Sequence, residues 1–192
     1  IVQARMNSTR LPGKVLKLIS GYSMIDILLR RLSRSKLIDQ IAVATSSEEI
    51  NSGFAEHVKS LGYNCIQGSE DDVLARYAQA AEETQADVIV RITGDCPLVD
   101  ANLVDGIINR FFSSEVDYYT NTMPPSFPDG LDVEVFSYDA LKRCQSRSTT
   151  RHDREHVTPY MRESGEFKTG SFNNSEDLSS FRWTVDELSD LE

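Results

Sequence analysis

The chain has 192 residues, and 30 Asp and Glu against 20 Lys and Arg give a formal net charge of −10. With no run of five or six basic residues, that balance offers no long-range attraction to phosphate backbones or anionic membranes, which excludes nucleic acid and membrane surfaces as expected partners. At 40% hydrophobic and 26% charged residues the composition is that of a globular chain, and no stretch nears the roughly 18 consecutive apolar residues of a membrane span.

Cys65, Cys96 and Cys144 are odd in number and form neither C-x-x-C pairs nor a Cys/His cluster with zinc spacing, a usage that fits a reducing cytoplasm. The chain opens on Ile1-Val2 without a charged-then-apolar leader and stops at Glu192 inside an acidic, helix-starting pattern. Both ends read as trimmed from a longer protein.

Taken in chain order, Ile1-Val2 reads as the end of a first strand, and Met24, Ile25, Ile27, Leu28, Leu29 and Leu32 form a helical core stripe backed by Arg30, Arg31 and Arg34. Strands follow at Ile41 to Ser46 and Asn64 to Gln67. Next comes a helix with Ser69 as N-cap and Asp72 three positions on, whose inner face carries Val73, Leu74, Tyr77, Ala78 and Ala81. Val88 to Thr93 is a strand apolar on both faces. Asp100 or Asn102 opens a helix with Leu103, Ile107, Ile108, Phe111 and Phe112 inward, and Tyr118 to Thr122 is a further strand. Met123 to Gly130 packs three prolines and a glycine into a shaped loop; strands at Asp132 to Phe136 and Phe181 to Val185 complete the pattern. Short β-branched runs alternating with helical periodicities predict a one-domain α/β fold around a largely parallel sheet, with residues from about 123 to 175 as a subdomain or flap.

Three constellations carry chemistry. QARMNSTRLPGK, residues 3 to 14, follows the first strand, where open α/β sheets bind ligands. Arg5, Arg10 and Lys14, interleaved with Ser8, Thr9 and Gly13, suit a polyphosphate, although the loop is neither a Walker A motif nor a dinucleotide turn; a solvated surface loop is the bland alternative. In Arg91-Ile-Thr-Gly-Asp95-Cys-Pro97 a strand exits abruptly with a carboxylate at its end, which either ligates Mg²⁺ or caps the next turn. Arg182-Trp-Thr-Val-Asp186 repeats that arrangement, with helix capping again the alternative.

Together these pieces resemble the cytidylyltransferases that activate acylneuraminate and 3-deoxy-manno-octulosonate, and most closely their spore coat polysaccharide biosynthesis protein F relatives. The matching segments are QARMNSTRLPGK (3 to 14), KLIDQIAVATS (36 to 46), GSEDDVLARY (68 to 77), VRITGDCPLVD (90 to 100), PDGLDVEVF (128 to 136), DREHVTPYMRE (153 to 163) and RWTVDELSDLE (182 to 192), in order along the whole chain. The resemblance implies a three-layer α/β/α sandwich of the nucleotide-diphosphosugar-transferase type. It implies a triphosphate loop at Arg5, Ser8, Arg10 and Lys14, and a metal-binding Asp95 with Asp186 as the second aspartate. Ser69, Asp72 and Arg76 fall where relatives hold cytosine and ribose, although GSEDDVLARY departs from the S-G-T-E-R-L wording of the octulosonate enzymes.

For the acceptor sugar, Asp129, Asp132 and Glu134 with Arg154, Glu155 and His156 offer bidentate hydrogen bonding, against a reading of Asp132 and Glu134 as a strand's solvent face and of His156 as structural. Cys96 has no nearby His to activate it. The expected activity is Mg²⁺-dependent transfer of CMP from CTP to an acid sugar, with pyrophosphate release; Arg10, Lys14 and Asp95 are the catalytic residues, and a homodimer is left open. The rivals are a sugar-1-phosphate nucleotidyltransferase using another nucleotide and a non-catalytic nucleotide or sugar sensor.

Overall fold

The computed structural model describes residues 1–191. Strand β1 (Val2–Gln3) leads through the opening loop and a 3-10 turn at Lys14–Leu16 to an antiparallel ribbon, β2 (Leu18–Ile19) with β3 (Tyr22–Ser23). Then come α1 (Met24–Leu32), β4 (Ala42–Ser46), α2 (Ser52–Ser60), β5 (Asn64–Gly68), α3 (Val73–Glu83), β6 (Val88–Thr93) and α4 (Ala101–Ser113). The C-terminal part adds β7 (Tyr118–Thr120), β8 (Glu134–Ser137), α5 (Tyr138–Arg147), α6 (Arg151–His156), α7 (Pro159–Glu163) and β9 (Thr169–Ser171).

Seven strands form one sheet in the order β5-β4-β1-β6-β8-β7-β9. All neighbours pair in parallel except β8, which runs antiparallel to both β6 and β7. The chain moves outward from β1 through β4 and β5, then returns to place β6 on β1's other side. That reversal makes a switch point between β1 and β6, the place where open α/β sheets leave a crevice beyond the strand ends.

Alternating strand residues feed two cores. Val2, Val43 and Ile92 pack under α1, α2 and α4, whereas Ile89, Tyr118 and Phe136 pack under α3, α5 and α7, so helices cover both faces in the expected α/β/α arrangement. Capping fixes where the helices start. Ser23 accepts the Asp26 N–H at 3.2 Å to open α1, and Asp100, rather than Asn102, opens α4 by accepting the Leu103 N–H at 2.9 Å.

Several expectations need correction. Asp72, not Ser69, is the N-cap of α3, accepting the Ala75 N–H at 2.9 Å, while Ser69 accepts the Asp72 N–H and shapes the turn before it. Phe112, expected inward on α4, is 68% exposed. Residues 181–185 do not form a strand. Trp183 donates its N–H to Asp129 O at 2.6 Å, but two residues later Val185 donates to Asp95 O at 2.8 Å; with two different partners, only the single bridge between Asp129 and Arg182 forms instead of a ladder. Within residues 123–175, β8 and β9 belong to the seven-stranded sheet, with β8 between β6 and β7.

Candidate active site

The ends of β1 and β6 meet at the switch point because residue 94 is glycine. Its N–H donates to Gln3 O at 2.7 Å, and a Cβ there would sit 2.7 Å from Ala4 Cβ and 2.9 Å from Gln3 O. Any side chain would push the two strand ends apart. The chain leaves β6 at once, which hangs the Asp95 carboxylate over the opening loop.

That carboxylate accepts no backbone N–H among the described residues, so the capping alternative is not what the structure shows. Its neighbours are Lys14 Nζ at 3.5 Å and Cys96 Sγ at 3.6 Å. Lys14 is buried, contrary to a surface-loop position. Its ammonium donates to Val185 O at 2.8 Å and Asp186 Oδ1 at 3.0 Å as well as facing Asp95. Lys14 therefore ties the opening loop to both carboxylates.

Asp186 also pairs with Arg10 Nη2 at 2.8 Å and Arg182 Nη2 at 2.9 Å. Burial opposes ionisation of Asp186, but hydrogen bonds from Lys14 and Arg182, and then the charges of Lys14 and Arg10, hold its carboxyl below the usual range. Capping of the last turn falls to Asp190, which accepts the N–H groups of Asp186 at 2.7 Å and Glu187 at 2.9 Å. Asp95 and Asp186 thus reach one shared cation, the Lys14 ammonium, and oxygen-only carboxylate donors suit Mg²⁺. Among the described residues no set of three or more His, Cys, Asp or Glu could hold a metal by itself.

Buried polar side-chain atoms are nearly always hydrogen-bonded, so the exceptions are informative. Here seven lack a partner among the described residues, and they fall into two groups. Asn7 Oδ1, Asn51 Nδ2, Glu70 Oε2 and two guanidinium nitrogens of Arg76 form the first group. Glu70 joins them by accepting from Arg5 and from Asn7 Nδ2 (2.7 Å), while Asn51 Oδ1 accepts the Met6 N–H at 2.8 Å. Arg76 is fully buried and donates to Ser69 O. This group lies between the opening loop and the GSEDD turn, where Arg5, Ser69 and Arg76 were expected. Ser8 stays in the loop, its hydroxyl 3.5 Å from the Leu11 N–H.

The other two unpartnered atoms are the Nε groups of Arg91 and Arg162, both in residues lining a polar cavity of about 150 Å³ with Thr93, Thr122, Asp132 and Glu134. Glu134 is buried and faces Arg91 directly across the β6–β8 register, forming an ion pair with it. Its other oxygen accepts from Tyr118 Oη at 2.6 Å and Thr158 Oγ1 at 2.7 Å. Burial alone would raise its pKa, but Arg91 and those hydroxyls hold Glu134 below the usual range. Burial pushes the Asp132 carboxyl up to about 6, helped by the nearby charges of Asp129, Glu134 and Asp95. The solvent-face reading of Asp132 and Glu134 is overturned.

Of the expected acceptor residues, only Glu134 and Asp132 meet at this cavity. Asp129 is exposed and pairs with Arg182 at 2.9 Å. Arg154 grips Asp72 Oδ2 with Nε at 2.7 Å and Nη2 at 2.5 Å, so these two expected ligand contacts are spent on each other. Glu155 faces Arg151 at 3.8 Å, and exposed His156 lies against His152 with 4.7 Å between ring centres. Sequence reasoning missed Asn7, Asn51, Glu70, Arg91, Arg162 and Arg182. The local signal that existed was an arginine inside an otherwise apolar strand, Val88 to Thr93. A larger cavity, about 390 Å³, opens around the amino-terminal ends of β4 and β6, away from all of these residues.

A family model described as cytidylyltransferase matches residues 1–187. The chain is 38% identical to spore coat polysaccharide biosynthesis protein SpsF of Bacillus subtilis, covering 84% of this chain and 68% of that protein. It is 31% identical to 3-deoxy-manno-octulosonate cytidylyltransferase 2 of Hydrogenovibrio crunogenus, covering 81% of this chain and 66% of the relative. A solved cytidylyltransferase from Leptospira borgpetersenii superposes with a TM-score of 0.95 at 34% identity, covering 100% of this chain and 82% of that one.

Proposed function

The chain belongs to the cytidylyltransferase family, and we propose that its reaction is transfer of CMP from CTP to a hydroxyl of an acid sugar, with release of pyrophosphate. The observation that carries this reading is the Lys14 ammonium held between Asp95 and Asp186 at the switch point of the sheet. It brings together cations able to bind phosphate and carboxylates able to bind a metal. The two groups of unpartnered polar atoms suit a reaction with two substrates, nucleotide toward Glu70 and Arg76, acceptor toward Arg91 and Arg162. The name of the octulosonate-specific relative supports an acid sugar as acceptor.

In this reading Arg10 and Lys14 bind the anionic β- and γ-phosphate oxygens and offset the charge that develops as pyrophosphate departs. Arg5, held by Glu70, closes the opposite edge of the loop. Asp95 and Asp186 would hold Mg²⁺, which when bound polarises the α-phosphate and lowers the pKa of the attacking hydroxyl. The Glu134–Arg91 pair forms a fixed floor that orients acceptor hydroxyls. The sugar oxygen bonds to the α-phosphorus, the bond from that phosphorus to the bridging oxygen breaks, and the hydroxyl proton passes to solvent.

The test is pyrophosphate release from CTP, UTP, GTP and ATP, each with 3-deoxy-manno-octulosonate, an acylneuraminate and a sugar 1-phosphate. CTP with an acid sugar should turn over fastest. Preference for another nucleotide with the sugar phosphate would replace this reading by the sugar-1-phosphate one.

A further inference from the structure

We propose that Arg162 anchors the carboxylate of the acceptor and is thereby a specificity-determining residue; this inference rests on the acid-sugar reading above. The polar cavity has four charged lining residues, Arg91, Arg162, Asp132 and Glu134. Two of them neutralise each other, since Arg91 pairs with Glu134, whose remaining acceptor positions are filled by Tyr118 and Thr158. Among the described residues Arg162 forms no ion pair and its Nε is buried without a partner; Asp132 forms no ion pair either. A buried guanidinium nitrogen without an acceptor is costly, so the position favours a ligand that supplies one.

The other arginine expected to serve the acceptor, Arg154, is held by both Nε and Nη2 on Asp72 and is committed elsewhere. Arg162 is therefore the uncommitted cation of the cavity. A guanidinium fork matches a planar carboxylate, to which it donates two parallel hydrogen bonds. The lining also argues against a phosphate dianion, because Asp132 and Glu134 face the same space and repel a second negative charge. Those carboxylates can instead accept hydrogen bonds from sugar hydroxyls beside a singly charged carboxylate. An anchor at Arg162 fixes which end of the sugar enters first, and so which hydroxyl is left toward Asp95.

Two measurements test this. In the first, calorimetry follows 3-deoxy-manno-octulosonate and an acylneuraminate, each beside its carboxyl-reduced analogue, binding to the CTP-loaded protein with Mg²⁺ omitted so that nothing turns over. The parent should bind at least one acid about tenfold or more tighter than its reduced analogue. Arg162→Gln should lose that preference and Arg162→Lys should retain part of it. In the second, steady-state assays with Mg²⁺ should show Arg162→Gln raising the acid's KM about tenfold or more while the KM for CTP stays within about twofold. Failure of the parent to bind either acid, an equal affinity for acid and reduced analogue in the parent, or an unchanged acid KM in folded Arg162→Gln would overturn the anchor. Acid binding that depends on Arg162 without any pyrophosphate release would instead leave the anchor standing and sink the cytidylyl-transfer reading.

Discussion

Removing Lys14 should separate stability from phosphate binding in a way that removing Arg10 does not. Both side chains belong to the opening loop and both touch Asp186, but Lys14 is 10% exposed at its side chain and Arg10 58%. Lys14→Ala deletes two good charged hydrogen bonds, to Val185 O at 2.8 Å and Asp186 at 3.0 Å, plus a longer contact to Asp95. Charged hydrogen bonds contribute roughly 1.5 to 3 kcal/mol each, and breaking a buried pair costs about 3 to 5 kcal/mol. Asp186 keeps Arg10 and Arg182, so the lower figure applies, and for a chain of this size about 3 kcal/mol lowers Tm by roughly 6 to 12 °C. Arg10→Ala removes an ion pair whose arginine side chain is 58% exposed, and Asp186 keeps Lys14 and Arg182, so the cost is under about 1 kcal/mol. Both variants should weaken CTP affinity about tenfold or more while leaving cytidine affinity nearly unchanged. Differential scanning calorimetry with isothermal titration reads both effects. A Lys14→Ala protein melting within a degree or so of the parent would refute the buried ammonium bridge, and unchanged CTP affinity in both variants would remove the loop from the phosphate site.

Two further outcomes follow from the geometry. The Asp132 carboxyl, pushed up to about 6 chiefly by burial, has a folded-state pKa above its unfolded value near 3.9, so the folded chain binds that proton more tightly and stability falls as pH rises from about 4 to 6. The penalty above pH 6 is on the order of 2 to 3 kcal/mol; Asp132→Asn should therefore melt higher than the parent at pH 7.5 in EDTA and lose that part of the pH dependence, whereas an unchanged profile would show that Asp132 titrates normally. Gly94→Ala places a methyl 2.7 Å from Ala4 Cβ and 2.9 Å from Gln3 O, which should cost about 1 to 3 kcal/mol and lower activity by spreading the ends of β1 and β6; an active variant of parental Tm would show that the strand ends can give way.

The sheet's centre was legible because Ala42–Ser46 and Val88–Thr93 are continuous apolar runs, the mark of strands covered on both faces. Helix α1 was legible from its stripe, five of whose six apolar members are buried. What failed depended on distant partners. Phe181 to Val185 reads like a strand, but its backbone groups find Asp129 and then Asp95, more than fifty residues away in each case. Lys14 looked like a loop cation because its acceptors lie at positions 95, 185 and 186. The polar cavity was half visible, in Asp132 and Glu134. Its arginines were not, since only the antiparallel register of β8 on β6 sets Glu134 opposite Arg91, and local periodicity does not report strand direction. The loop-and-carboxylate pairing of residues 3 to 14 with Asp95 was readable because its segments recur together in a known family.

The most direct test of the account is Asp95→Asn, measured for melting temperature with and without Mg²⁺ and CTP, and for pyrophosphate release across a Mg²⁺ titration. Asn keeps the side chain's size, and the contact it weakens, Lys14 at 3.5 Å with Asp95 31% exposed, contributes under about 1 kcal/mol. The variant should therefore fold and melt within about 4 °C of the parent. It should also lose most of the Mg²⁺-dependent stabilisation by CTP, with turnover lowered a hundredfold or more. Turnover within a few-fold of the parent, with the same Mg²⁺ dependence, would contradict a carboxylate centre at Asp95 and Asp186 and the cytidylyl-transfer mechanism built on it.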